Sequence, residues 1–186
     1  MRPIILGSLA ALLCVTAATD THAVANIGLR GAGGRLSFVN PSDIDGTIGL
    51  DLIADWGTLR PQLAVETTLD FWSSEEDFGF FEVDVRAIAV GGRLKYTFNV
   101  TDHRVRPYVA GGLALHFLRF ETPTRLVFGV PVAGRDDSDT KLGIDFAGGV
   151  GYKTNPNLFV VGELRVRLVA DVSQVMLAGG VVYWFN

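Results

Sequence analysis

Cysteine is almost missing from this chain of 186 residues, in which Cys14 is the only one. Beyond residue 25 there is therefore no disulfide, no cysteine nucleophile and no thiolate metal ligand. Histidine is nearly as scarce, and only His103 and His116 lie beyond residue 25. Two histidines without cysteine do not make a zinc cluster. These absences argue against cysteine-dependent or zinc-dependent catalysis, and we expect no cofactor.

The chain also lacks a concentrated positive charge. Its formal net charge is −4, and the value stays at −4 without residues 1–25, because Arg2 and Asp20 cancel. Nucleic acid is bound by a concentrated positive field, so we expect no nucleic-acid partner. No apolar run beyond residue 25 approaches the roughly 20 residues of a spanning helix. In a membrane, the chain would have to form a closed barrel, because only helices and closed barrels pair every backbone group in lipid.

The first 25 residues have the pattern of a secretory signal peptide. Arg2 precedes an apolar run over residues 4–18, and a stretch of small residues ends at Ala25. The run is too short for a spanning helix. We predict a signal peptide over residues 1–25, with cleavage after Ala23 as the alternative, and one domain over residues 26–186.

The rest of the chain alternates with a period of two, which is typical of β-strands. In the last segment one face carries Val175, Leu177, Gly179, Val181, Tyr183 and Phe185. Eight such segments are predicted, at residues 27–39, 47–56, 59–72, 80–98, 106–120, 141–153, 158–168 and 174–186. An even number of strands places both termini at the same end of a barrel. The longest predicted loop covers residues 121–139.

Two breaks in the alternation coincide with paired glycines. The apolar parity changes between Leu29 and Leu36, around Gly33-Gly34, and again in the fourth segment, around Gly91-Gly92. Glycine in a strand often marks a bulge. We therefore predict a bulge at the first pair and a change of register at the second.

Strand length and aromatic placement separate a membrane barrel from a soluble one. Several apolar faces span about five alternating positions, which matches the 9 to 11 residues of a tilted membrane strand, whereas soluble strands are usually about 5 to 6 residues long. Aromatic side chains near strand ends suit the two interfacial girdles. They are Trp56, Phe71, Tyr96, Phe98 and Tyr152. The prediction is an all-β, eight-stranded, antiparallel, transmembrane up-and-down β-barrel, with a soluble periplasmic barrel as the alternative.

Three stretches carry a resemblance to a known family. They are residues 92–98 (GRLKYTF), residues 106–113 (RPYVAGGL) and the terminal Tyr183-Trp184-Phe185. The chain resembles the small outer-membrane β-barrel proteins of Gram-negative bacteria, including OmpA transmembrane domains and OmpX-like proteins. Such proteins commonly end on the aromatic residue, whereas here Asn186 follows it.

The resemblance implies a location and partners. The location is the bacterial outer membrane, after export to the periplasm. The partners are outer-membrane lipid, lipopolysaccharide and the barrel-insertion machinery. The closing strand would be the signal that this machinery reads, with Val181, Tyr183 and Phe185 on its lipid-facing side.

Charged residues occupy the opposite parity, which faces the lumen of a membrane barrel. The predicted lumen network comprises Glu66, Asp70, Arg93, Lys95, Lys141, Asp145, Glu163, Arg165 and Arg167, with Asp51, Asp55 and Arg60 on the same parity. An eight-stranded barrel is only wide enough for side chains to fill it, so these charges should pair and plug the lumen. The alternative is a polar pathway or a proton-linked gate.

The sequence favours a non-enzymatic barrel whose extracellular loops give it a structural, adhesive or surface-interaction role. A surface or host ligand is possible, and the sequence does not identify it. The first alternative is a narrow or gated pore for small or hydrophobic molecules. The second is a lipid A-modifying enzyme, but outer-membrane lipid A deacylases use a serine two positions after the histidine, and here Leu118 follows His116. Asp136, Asp137 and Asp139 could bind a divalent cation, although a solvated acidic loop is the simpler interpretation.

Overall fold

The structure is a computed structural model that describes residues 25–42, 45–77, 82–122, 125–127, 130–132, 135–170 and 173–185. The predicted signal peptide lies outside these residues apart from Ala25. Within the described ranges, no helix is long and apolar enough to cross a membrane.

Eight antiparallel strands close into one barrel in the order β1-β10-β9-β8-β5-β4-β3-β2. Their bounds are β1 Asn26–Pro41, β2 Thr47–Arg60, β3 Leu63–Asp77, β4 Glu82–Thr97, β5 Val105–Thr122, β8 Arg135–Lys153, β9 Leu158–Val169 and β10 Gln174–Trp184. A separate hairpin, β6 Arg125–Val127 with β7 Val130–Val132, lies in the chain between β5 and β8. The predicted fold class is confirmed. The end where β1 begins and β10 finishes is called the termini end below, and the opposite one the loop end.

The wall has an apolar exterior and a polar interior, which inverts the arrangement of a soluble barrel. On β10, Leu177 and Tyr183 are 63% and 50% exposed, whereas Gln174 and Met176 are each only 1% exposed. The same alternation is found on the other barrel strands. Apolar side chains that face outward at these fractions need lipid around them.

The bulge predicted at Gly33-Gly34 is wrong in position. Residues 31 to 41 pair with β10 without interruption, and the register with β2 shifts between Ile27 and Gly31. Gly33 has a different purpose: a Cβ there would lie 2.3 Å from the Val181 carbonyl oxygen. This glycine permits close approach of β1 to the closing strand, while the slip in parity occurs upstream of it.

The register change predicted at Gly91-Gly92 is also wrong. The β3–β4 pairing runs unbroken from Leu63↔Tyr96 to Asp77↔Glu82. The apparent change of parity arises because Val85 faces the interior, where it joins a buried apolar cluster. When a strand buries apolar residues inside one end of a barrel, the apolar residues change parity along its sequence. That pattern looks the same as a register shift, although the pairing is regular.

The long loop predicted over residues 121–139 is largely ordered strand. Strands β5 and β8 stay paired as far as Thr122↔Arg135. From the apolar stretch of this predicted loop, Leu126 and Val127 pair with Pro131 and Val130 in the β6–β7 hairpin. Strands β5 and β8 therefore extend well past β9 at the loop end, alongside β4, which stays paired with β5 as far as Asp84↔Glu121.

Candidate functional site

The lumen holds a dense group of charged side chains, called the lumen network here. Each member lies on the inward parity of its strand, and all except Lys95 are at most 5% exposed. Five cations meet six carboxylates. The members are Arg35, Arg93, Lys95, Arg165 and Arg167 with Asp51, Asp55, Glu66, Asp70, Asp145 and Glu163.

Glu163 is the centre of the network. Its Oε1 accepts hydrogen bonds from Arg93 Nη1 at 2.8 Å and Arg165 Nη2 at 2.9 Å. Its Oε2 lies 2.7 Å from Arg35 Nη1 and accepts the Tyr108 hydroxyl at 2.9 Å. Three guanidinium groups and a phenol thus converge on one buried carboxylate, which offsets the cost of removing its charge from water.

Other ion pairs join opposite walls of the barrel. Arg165 on β9 donates from Nη1 to Asp70 Oδ1 on β3 at 3.0 Å. Strands β9 and β3 stand four places apart in the ring of eight, so this bond crosses the full lumen. Arg167 donates to Asp70 Oδ2 at 2.6 Å and to Asp145 Oδ1 at 2.5 Å. The bonds to Asp70 cross the lumen, and all of these ion pairs together fill the middle of the barrel with paired charge.

Toward the termini end the network finishes at Lys95. Lys95 forms an ion pair with Glu66 and lies 3.7 Å from Asp55 Oδ2. Arg93 also contacts Glu66 Oε2, through Nε at 2.8 Å. Inward glycines make room for such side chains, since a Cβ at Gly112 would lie 2.6 Å from Arg93 Cβ.

At the loop end an apolar layer covers the network. Its members are Val39, Trp72, Val85, Ala87, Leu118 and Met176, with Phe120 packed against them. His116 and Gln174 are also buried, at 0% and 1% exposure, and their side-chain nitrogens and oxygen have no hydrogen-bond partner among the described residues. Apolar side chains thus fill the lumen at one end and paired charges fill it in the middle.

The structure brings together eight of the nine lumen residues in the predicted network. Lys141 lies apart, nearer the loop end, where its Nζ is 3.2 Å from Asp139 Oδ2. Arg60 is exposed at the end of β2, so its predicted inward orientation is wrong, because regular alternation ends at the β2–β3 turn. Arg35 and Tyr108 were missed. Arg35 could have been found, since it alternates with the outward Leu36 and Phe38.

The predicted girdle residues all face outward. Tyr96 and Phe98 pack edge to face at 5.1 Å near the termini end, and Tyr152 lies near the same end of β8. Trp56 donates from Nε1 to Thr67 Oγ1 at 3.0 Å. Phe71 lies farther toward the loop end. The predicted assembly residues Val181, Tyr183 and Phe185 also lie on the outer wall, where they are 47%, 50% and 43% exposed.

Metal binding has no support in the described ranges, where no group of three or more His, Cys, Asp or Glu side chains could hold an ion. His116 faces the lumen rather than lipid.

A closed barrel with an apolar outer wall and a charged interior defines the class of transmembrane β-barrels. The chain belongs to the family of the outer membrane protein beta-barrel domain, whose match covers residues 7–185. It lies in the bacterial outer membrane. From the usual orientation of such barrels, we expect the termini end to face the periplasm and the loop end to face the cell exterior.

Solved structures with the same fold include three small outer-membrane proteins. Neisserial surface protein A has a TM-score of 0.67 and 17% identity, with 83% of this chain and 96% of that chain covered. OprG of Pseudomonas aeruginosa has a TM-score of 0.57 and 13% identity, with 87% and 98% covered. Ail of Yersinia pestis has a TM-score of 0.53 and 16% identity, with 84% and 97% covered. No curated protein sequence matches this chain.

Proposed function

We propose that this protein is a closed, non-enzymatic outer-membrane barrel that acts at the cell surface through its loop end. One observation carries the proposal. Beyond the outward Phe117, strands β5 and β8 continue through five further pairs, from Leu118↔Asp139 to Thr122↔Arg135, with β4 still paired to β5 as far as Asp84↔Glu121. At a rise of about 3.4 Å per residue, these pairs extend about 17 Å along the strands. The β6–β7 hairpin follows, and the two features together are called the surface projection here.

The composition of the loop end indicates which ligands suit it. Residues 40–47, 73–86, 118–141 and 170–173 carry 12 Asp or Glu and only 5 Lys or Arg. A structure of Ail contains the heparin analogue sucrose octasulfate. An acidic loop end repels such a polyanion, so for this chain we favour a basic partner or one bridged by divalent cations.

Lipopolysaccharide is a partner that the outer wall also favours. Arg86 and Arg119 face outward on neighbouring strands and are directly opposite each other. Toward the loop end, each lies two residues beyond the last outward apolar residue of its strand, Ile88 on β4 and Phe117 on β5. Lipid phosphate groups lie at this level of the membrane, and guanidinium groups bind phosphate by charge-assisted hydrogen bonds.

Deleting the outer part of the surface projection tests the proposed role. Replacing residues 122–135 with a short glycine-containing turn should leave the barrel folded, because Phe120 stays in the apolar layer and every β4–β5 pair is retained. Whole cells that carry this variant should lose adherence to epithelial cells and to immobilised matrix proteins. Cells with Arg104→Gln, a change at the periplasmic end, are the matched control. Equal adherence of deletion and control cells would contradict the proposal.

A pore is the alternative, and planar-bilayer conductance separates it from a closed barrel. The lumen network and the apolar layer favour a lumen without a continuous water path. We expect no reproducible ion steps from the unmodified protein. The double variant Arg93→Ala with Glu163→Ala removes both members of one crossing pair and is expected to conduct. Steps from the unmodified protein would overturn the closed-barrel proposal.

Lipid A analysis tests the enzyme alternative. Mass spectra of lipid A from cells with and without the protein should be identical, because His116 is buried in the lumen away from lipid. An altered acyl pattern would show that the protein modifies lipid A.

A further inference from the structure

The termini end of the lumen opens into a cavity of about 570 Å³. It is called the vestibule here, and its walls include Ala64, Lys95, Thr97, His103, Arg106 and Trp184. The turn between β4 and β5 contributes His103, and the inward faces of the strands contribute the others. Small-molecule sites typically have volumes of roughly 300 to 1,000 Å³, so the vestibule is large enough for a ligand.

The walls of the vestibule carry positive charge without a matching carboxylate. Lys95 and Arg106 line it together with His103, and none of its lining residues is Asp or Glu. Lys95 is already paired with two carboxylates of the lumen network. Arg106 forms no ion pair with any residue that the structure describes. The uncompensated charge in the cavity is therefore the Arg106 guanidinium.

Aromatic rings hold Arg106 in position. The centre of its guanidinium lies 4.9 Å from the centroid of the Phe159 ring and 5.6 Å from that of Trp184. Cation–π contacts at these distances restrain the group, while its N–H donors stay available to an anion. Arg106 and Trp184 also line a second recess of about 50 Å³, whose other walls include Phe159, Val161 and Val182. A charged donor thus stands beside an apolar surface.

We propose that the vestibule binds a small organic anion from the periplasmic side. The ligand class is a phosphate monoester or carboxylate that carries an apolar or aromatic body. The anionic group accepts hydrogen bonds from Arg106, with His103 close by on the turn, and the body packs against Trp184 and the apolar recess. Asp102, the acidic residue of the same turn, is exposed and does not line the cavity; its Oδ1 accepts the Arg104 backbone N–H at 2.9 Å.

Phosphorus NMR of phenyl phosphate tests the site on the full folded chain in octyl glucoside, a detergent without phosphate. Saturable line broadening is expected on addition of the protein. Arg106→Gln should weaken binding about tenfold or more, as expected for the loss of a hydrogen bond to a charged group. Inorganic phosphate should bind more weakly than phenyl phosphate, because it has no body to pack against the rings.

Arg104→Gln is the matched control, since Arg104 belongs to the same turn, is exposed and does not line the vestibule. It should change the affinity by less than about twofold. Heat-modifiable mobility on gels verifies that each variant is folded. The proposal is overturned if phenyl phosphate shows no saturable broadening, if Arg106→Gln binds as tightly as the unmodified chain, or if Arg104→Gln weakens binding equally.

A lipid headgroup could supply the same phosphate chemistry, and nanodiscs distinguish the two sources. Calorimetric titration with phenyl phosphate should give equal affinity in phosphatidylcholine and phosphatidylglycerol discs if the ligand is a soluble anion. Loss of binding only in phosphatidylglycerol discs would assign the site to an anionic lipid headgroup instead, and would overturn the soluble ligand class.

Discussion

The two ends of this barrel differ in both charge and packing. The loop end has an excess of acidic residues, and its interior is filled by the apolar layer around Trp72 and Met176. At the termini end, residues 26–30, 58–62, 97–106, 153–157 and 184–186 carry 5 Lys or Arg and a single acidic residue. That end is open as far as Lys95. The two ends thus have different interiors behind the same apolar outer wall. This is possible because inward and outward residues alternate along each strand, so the inward residues can vary while the outward ones stay apolar.

The assignment of these ends to the two sides of the membrane gives the largest expected effect. No native cysteine lies in residues 26–186, so single cysteines can be introduced without background. Ser138→Cys should react with a membrane-impermeant maleimide on intact cells, whereas Thr101→Cys should react only after the outer membrane is permeabilised. The reverse labelling pattern would show that the loop end faces the periplasm, and it would place the vestibule at the cell surface.

Glu163, at the centre of the lumen network between the two ends, should make a large contribution to the free energy of unfolding. Glu163→Gln removes the carboxylate shared by Arg35, Arg93 and Arg165 and leaves buried cations poorly compensated. The free energy of unfolding should fall by about 3 to 5 kcal/mol. Urea titration in detergent, followed by heat-modifiable gel mobility, measures this. A loss below about 1 kcal/mol, similar to that of a surface change, would show that the network contributes little.

Tryptophan substitutions compare the packing of the two ends. Trp72→Ala opens a cavity in the apolar layer at the loop end, where Trp72 is 5% exposed, and should cost about 3 to 4 kcal/mol. Trp184→Ala should cost less than half as much, because Trp184 borders the vestibule and is only partly buried. The same urea titration applies to both variants. Equal losses would mean that the termini end is packed as tightly as the loop end.

The smallest effect is expected from a charge at the loop end. Lys141→Met removes the ion pair with Asp139, whose side chain is 54% exposed, and should change the free energy of unfolding by no more than about 1 kcal/mol. Lys95→Met should cost more, because it leaves Glu66 with one cation fewer in the interior. A larger loss for Lys141→Met would contradict the placement of Lys141 outside the lumen network.

The assembly prediction concerns the outer wall of the closing strand. Tyr183→Asp combined with Phe185→Asp places two carboxylates on a surface that faces lipid or its boundary, so membrane insertion should be impaired. Fractionation of cell membranes measures the inserted fraction. Trp184→Ala, on the opposite face of the strand, is the control. Normal insertion of the double variant would count against the predicted signal at Val181, Tyr183 and Phe185.

The fold and much of the lumen could be predicted from alternation, because every outward apolar residue implies an inward neighbour. The errors arose where one local pattern has two physical causes. Gly33 permits close strand approach but resembles a bulge, and Val85 packs inside the barrel but resembles a register slip. Partners across the lumen, such as Arg165 and Asp70, could not be deduced, since alternation gives the face of a residue but not the opposite wall that it reaches.

The ion pairs of Glu163 have a consequence for the order of assembly. The seam of the barrel lies between β1 and β10, and Arg35 on β1 reaches past β10 to Glu163 on β9. Asp51 on β2 reaches Arg165 from the same side, although the two are 114 positions apart in the chain. Contacts between such distant residues form slowly, and these can form only as the first and last strands meet. The contacts of Arg35 with Glu163 and of Arg165 with Asp51 therefore join the two sides of the seam inside the barrel, and a barrel that opens there must break both of them.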